Sequence, residues 1–390
     1  MKALSILMRF RWLQNVALLM VATLIALGMG EVLVRAVAPQ QLILLRPDIW
    51  QPVDSLGWAH RPNLHTRVNT GDRTVTMQTD RDGFRIATGG RPPGDYRILL
   101  LGDSFVAAMQ VEYEQSLPGL IERCFATRTG KSASVWNAAV SGWDPPHYLM
   151  QARRSLATAP FDLVLVAVYL GNDVVDRRYV IPPREAYPRH TFHLPRHFTY
   201  GEFVDGLLAP INDGLETRSH LFIFFKTRLE ALLMRAGLTA VEVPTDLRRE
   251  EATSPRWQVT GDILADIDSF ASAYGVPAAF ALIPANEQVD PAVFQLRTKA
   301  FGIDPTSLDL DQPDRLMVAE LQRRGLSFVS LLAPLRAGQA RGLPMYGRVD
   351  PHPSEEGHRI MWDAVAPLLA RRLGLKYDVG TAAGAPCTPP

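Results

Sequence analysis

The stretch Ile98-Leu99-Leu100-Leu101-Gly102-Asp103-Ser104-Phe105 carries four apolar residues into a Gly-Asp-Ser turn. A continuous apolar run is the pattern of a parallel strand buried on both faces. Open α/β sheets bind their ligands at the carboxyl ends of such strands. The stretch therefore predicts a strand-to-helix turn that holds Ser104 where a nucleophile is useful. Taken alone, Gly-Asp-Ser reads more readily as an ordinary turn with an N-cap serine. The rest of the chain has to decide.

From Arg97 onward strand-like and helix-like patterns alternate, as they do in βα units on a parallel sheet. Strands are expected from Ile98 to Leu101, Val135 to Asn137, Leu163 to Val168, Ala278 to Ile283 and Phe328 to Leu332. Helical spacing fits Glu112 to Cys124, His147 to Leu156, Ile263 to Tyr274 after a Thr260-Gly261-Asp262 start, and Glu355 to Leu373 after Ser354 as N-cap. The expected fold class is α/β, a doubly wound parallel sheet of about five strands.

Three further segments bear on Ser104. They are Asn137-Ala138-Ala139-Val140-Ser141-Gly142, the apolar run Leu163 to Leu170 ending in Gly171-Asn172-Asp173, and Asp350-Pro351-His352-Pro353 with Gly357-His358. Together with Gly102-Asp103-Ser104-Phe105 they resemble, in order, the four blocks of the SGNH (GDSL-like) hydrolase superfamily. The resemblance implies an SGNH-type (flavodoxin-like) sheet with Ser104 as nucleophile. It also implies that Gly142 lends a backbone N–H, Asn172 a side-chain amide, and Asp350 and His352 the acid and base before the final helix. Many members place the acid three residues ahead of the histidine. Here that position is Val349, so Asp350 is the candidate, at a spacing of two that occurs in relatives acting on envelope polysaccharides.

Acyl transfer explains why these residue types belong together. A serine hydroxyl attacks a carbonyl only when a base takes its proton, and an acid must hold that base in the right tautomer. As the carbonyl turns tetrahedral its oxygen gains charge, which preorganised donors stabilise; Ser104 N–H, Gly142 N–H and the Asn172 amide are the candidates. His358, six residues after His352 and inside the expected helix, is assigned to packing or to the surface.

The chain has 390 residues and a formal charge of +1, which suits one large domain with appendages. Its basic residues are interspersed with acids, so no nucleic-acid partner is expected. Trp12 to Gly30 carries no charge and follows Lys2, Arg9 and Arg11. About 20 apolar residues span a bilayer as a helix, and the basic flank favours a cytoplasmic amino terminus with the remainder outside. A cleaved signal peptide is the competing reading, but its apolar core is usually shorter, and Ala36-Val37-Ala38 is followed by Pro39. The expected organisation is a cytoplasmic tail (1–11), a transmembrane signal anchor (12–37), a β-rich membrane-proximal collar (38–96), a catalytic domain (97–376) and a disordered tail (377–390). The anchor is expected in the inner membrane, with the catalytic domain in the periplasm or outside.

The Pro-broken segment 174–256 reads as an insertion that forms a lid or shapes the substrate site. Its run Leu221-Phe222-Ile223-Phe224-Phe225 is expected to pack in a core, with a membrane or acyl chain as the other option. His190, His193 and His197 are close in sequence but lack an acid or cysteine cluster, so no metal and no cofactor is expected. Cys124 and Cys387 are permitted to pair in an oxidising compartment; a buried thiol at Cys124 is the alternative. The function expected from the whole is a serine esterase or O-acyltransferase, with acylated carbohydrate of the envelope or exopolysaccharide as substrate class by resemblance. A lipid or general carboxylester hydrolase, or a non-catalytic carbohydrate-binding protein on the same fold, are the alternatives.

Overall fold

In the computed structural model the apolar runs come together as a mixed α/β architecture with a mostly parallel sheet. The structure describes residues 2–40, 49–70, 72–182, 192, 204–216, 218–236, 244–348 and 350–378. The strands are β1 (Trp50–Val53), β2 (Gly57–His60), β3 (His65–Asn69), β4 (Thr74–Thr79), β5 (Arg85–Ile86), β6 (Tyr96–Leu101), β7 (Ala133–Asn137), β8 (Leu163–Tyr169), β9 (Ala278–Ile283) and β10 (Phe328–Ser330). β1 and β2 form a separate hairpin, and the other strands form one eight-stranded sheet in the order β10-β9-β8-β6-β7-β5-β4-β3.

The count of about five strands is therefore too low. The expected strands β6 to β10 are all present and mutually parallel. The additional three come from the segment ahead of them, where β5 pairs antiparallel with β7 through Arg85 and Asn137, and β4 and β3 follow antiparallel. Only β4 shows alternation in the sequence. β3, His-Thr-Arg-Val-Asn, buries Val68 alone, so its pairing left little trace in the pattern of apolar residues.

Ile98, Leu99, Leu100 and Leu101 are all fully buried, each worth roughly 1.5–3 kcal/mol on burial. On one face Ile98 and Leu100 join Leu163, Leu165 and the helices Leu117–Thr129 and Glu355–Arg372 in a single core. The helices Pro145–Thr158 and Arg256–Ala273 pack together on the other face. Because β6 lies between β7 and β8, the chain leaves β6 toward β7 and leaves the adjacent β8 in the opposite direction, toward β9. That reversal opens a crevice at the carboxyl end of β6, the usual ligand position of a doubly wound sheet.

One helix starts later than its apolar spacing suggests. It runs Leu117–Thr129, because Ser116 Oγ accepts the Gly119 N–H and Pro118 occupies the first turn. The residues from Tyr113 to Gln115 form a 3₁₀ turn instead.

The chain divides into two compact units, Met1–Arg46 with Arg189–Leu229, and Pro47–Pro188 with Glu230–Pro390. In the first, the helix Lys2–Val37 holds the one stretch among the described residues, Trp12–Val37, that is long and apolar enough to cross a membrane. His190, His193, His197, Cys387 and most of the tail lie outside the described residues. Cys124 is fully buried.

Candidate active site

The strand β6 ends at Leu101, and Gly102 follows because a Cβ there would sit 2.4 Å from Val106 Cγ2 and 3.2 Å from the Ala167 carbonyl. Asp103 caps the short helix Ser104–Ala107, its carboxylate accepting the Phe105 N–H at 2.9 Å. The helix stops at once, with Ala108 in the left-handed region at φ 55°. This sharp turn leaves Ser104 partly exposed while Phe105, Val106 and Ala107 are buried beneath it. Ser104 N–H makes no hydrogen bond to the described residues.

Ser104 Oγ lies 2.7 Å from His352 Nε2. The other ring nitrogen, Nδ1, is hydrogen-bonded to Asp350 Oδ1, and Gln110 Nε2 donates to Asp350 Oδ2 at 3.1 Å. The two-residue spacing works because the loop closes on itself. Gly347 N–H donates to the His352 carbonyl at 2.9 Å, and Ser354 N–H to that of Met345 at 3.0 Å. Gly347 admits no side chain, since a Cβ would meet the Asp350 carbonyl at 2.3 Å. Phe105 backs the imidazole with ring centroids 4.8 Å apart and is itself stacked on Tyr169.

The electrostatics favour a charged acid beside a basic histidine. Burial opposes ionisation of Asp350, but the His352 charge, its hydrogen bond and the Gln110 amide outweigh that and hold the carboxyl below its usual range. Burial likewise opposes protonation of His352. The Asp350 charge and hydrogen bond, with a smaller contribution from Asp103, nonetheless hold it above 6.5. His358 differs: fully buried, it accepts the Leu117 N–H on Nδ1 at 3.2 Å. Burial, with the charges of Arg85 and His352, pulls its pKa down to about 3, so it serves as neutral packing.

The segment from Asn137 to Gly142 is tied to the serine turn at three points. Asn137 Nδ2 donates to the Val106 carbonyl at 3.0 Å, Ala138 N–H to Leu100 at 3.0 Å and Val140 N–H to Gly102 at 3.2 Å. Gly142 takes φ 79°, a conformation natural for glycine. It is exposed, and its N–H makes no hydrogen bond to the described residues. Two tryptophans fix it from outside: Trp58 Nε1 donates to the Ser141 carbonyl at 2.9 Å, and Trp143 Nε1 to that of Trp58 at 3.0 Å.

Asn172 is exposed at the end of β8, and its amide favours the charged form of Asp103, the neighbour of Ser104, against the larger opposing effect of burial. Asp173 is buried, accepting from Tyr169 N–H at 2.8 Å and Tyr148 Oη at 2.9 Å. Burial and the charge of Asp103 push its carboxyl well up.

Sequence reasoning missed the brace built by the segment before β6. Arg85 on β5 is fully buried, and its guanidinium donates to the carbonyls of Ala107 at 2.7 Å, Val111 at 2.8 Å and Ala108. Burial pulls its pKa only to about 10, so it stays charged at neutral pH. Asp72, in the β3–β4 turn, accepts the Asp350 N–H at 3.0 Å, and Arg73 pairs with Glu355. One short antiparallel extension thus holds both the serine turn and the acid–histidine loop. The only signal was an arginine next to apolar positions after Asp82-Gly83-Phe84. Arg85→Met should leave three carbonyls short of a donor and destabilise the protein by about 3 kcal/mol or more. A urea unfolding midpoint close to that of wild type would show the brace to be dispensable.

No family model matches the chain, and no curated protein matches it. Solved structures similar to it include a member of the lipolytic protein G-D-S-L family from Veillonella parvula (12% identity over 70% of this chain and 98% of that one, TM-score 0.36). Another is LAE5, an alpha/beta hydrolase enzyme from the metagenome of Lake Arreo, Spain (12%, 73% and 97%, 0.38). A third is a catalytic mutant of Axe2, an acetylxylan esterase from Geobacillus stearothermophilus (13%, 73% and 96%, 0.38).

Proposed function

We propose that this chain is a serine esterase or O-acyltransferase acting on ester bonds, with Ser104 as nucleophile, His352 as base and Asp350 as its orienting acid. The observation that carries the reading is the hydrogen-bonded line from Ser104 Oγ through the imidazole to the Asp350 carboxylate. Ser104 Oγ attacks the ester carbonyl carbon as its proton passes to His352 Nε2. The carbonyl oxygen, now negative, is met by Ser104 N–H, Gly142 N–H and the Asn172 amide. His352 returns the proton to the departing alkoxide, leaving an acyl-serine. Water or a sugar hydroxyl, deprotonated by the same nitrogen, then takes the acyl group and restores the serine.

By the motif resemblance, the substrate class is O-acylated carbohydrate of the envelope or an exopolysaccharide. Trp12–Val37 serves as an uncleaved anchor in the inner membrane, and Lys2, Arg9 and Arg11 keep its amino end in the cytoplasm. The acting unit then lies on the periplasmic or outer side.

A fluorophosphonate probe should label the Ser104 peptide, and a panel of O-acetylated glycans should release acetate or, with an acceptor sugar present, pass it on. Absence of labelling would overturn the enzyme reading. Labelling with turnover only of lipid or aryl esters would overturn the carbohydrate assignment.

A further inference from the structure

The run Leu221 to Phe225 was expected to pack in a core, yet only Ile223 in it is buried, and Phe225 is 63% exposed. It belongs to the helix His220–Arg235, which follows the shorter helix Ala209–Glu216. The two are joined by an ion pair between Lys226 and Glu216. Each carries exposed apolar residues at helical spacing: Phe225 and Leu229 on one, Ile211 and Leu215 on the other, with Leu208 exposed in the turn just before it. Interspersed are basic groups, Arg218 and Arg228, the latter stacked over the Phe224 ring.

These helices are attached to the apolar helix at one level. Glu31 accepts from Ser219 Oγ at 2.8 Å, His220 N–H at 3.0 Å and Leu221 N–H at 2.9 Å, and so caps the start of His220–Arg235. Arg35 donates to the Arg218 carbonyl at 2.6 Å, and Gln40 N–H to His220 Nδ1 at 2.8 Å. Leu221 packs on Gly30, whereas a Cβ at Gly28 would meet open space. A hydrocarbon core of ~30 Å takes about 20 helical residues. Counted from Trp12, the chain leaves it near Glu31, the residue that holds the second helix.

We infer that the helices Ala209–Glu216 and His220–Arg235 lie in the outer interface of the membrane that Trp12–Val37 crosses. Their apolar stripes enter the upper acyl chains while the arginines meet lipid phosphate. This rests on the anchor reading above. It gives the chain a second membrane contact, continuous with the anchor through Glu31, and makes the lipid surface the occupant of an apolar face exposed among the described residues.

The test is photolabelling of the full-length protein in phosphatidylethanolamine and phosphatidylglycerol nanodiscs that contain a phospholipid with a diazirine high on its acyl chain. Lipid adducts are expected on peptides from both helices and on the anchor. The double variant Phe225→Glu, Leu229→Glu should lose the adducts on His220–Arg235 and keep those on the anchor, with turnover of a soluble aryl acetate intact. Adducts on the anchor alone in the wild-type protein would overturn the inference. Adducts on neither would overturn the anchor reading and the inference together.

Discussion

Ser104→Ala and His352→Ala are each expected to reduce turnover of an aryl acetate to background, a loss of at least about 10⁴-fold, because the members of such a site act as a unit. Asp350→Asn is expected to fall by up to about 10⁴-fold with the fold intact by circular dichroism. The amide can still approach the imidazole, but it carries no charge and can favour the wrong tautomer. The pH profile separates these roles. His352 must be neutral to take the serine proton, so kcat/KM of the wild-type protein should rise with pH through an apparent pKa above 6.5, the side to which Asp350 moves the imidazole. Removing that negative charge stabilises the imidazolium less. The remaining limb in Asp350→Asn should therefore move to lower pH. Turnover within a few fold of wild type, together with an unmoved limb, would remove Asp350 from the site and leave a Ser104–His352 dyad.

Asn172→Ala should lower turnover by roughly 10²- to 10³-fold while fluorophosphonate labelling of Ser104 stays detectable, since one oxyanion donor is lost and the nucleophile is retained. The loss should fall in kcat more than in KM, because the interaction strengthens only as the carbonyl oxygen becomes charged. The Asn172 amide also favours the charged form of Asp103, whose carboxyl is pushed up by burial, so a change in Ser104 presentation has to be distinguished from loss of the donor. Equal probe labelling rates in the variant and wild type would show that presentation is unchanged. Unchanged turnover would exclude Asn172 from the oxyanion site.

What the sequence by itself determined is local. Four apolar residues before Gly-Asp-Ser specify a buried strand and a turn that exposes Ser104, because a strand covered on both faces has no place for polar side chains and a sharp turn needs Gly102. The five parallel strands were legible for the same reason. So were His352 and Asp350, which the fold hydrogen-bonds in line with Ser104. Only the tertiary structure decided how the two-residue spacing of Asp350 and His352 is accommodated, through the closed loop between Met345 and Ser354. It alone revealed Gln110, Asp72 and Arg85, whose partners are backbone groups or side chains far off in sequence. A buried guanidinium bonded to three carbonyls leaves no periodicity behind, and neither does an antiparallel edge with one buried valine. The exposed face of His220–Arg235 was hidden for the opposite reason. Its apolar spacing is that of a core helix, and which solvent, protein or lipid, it meets is fixed by where Glu31 holds it.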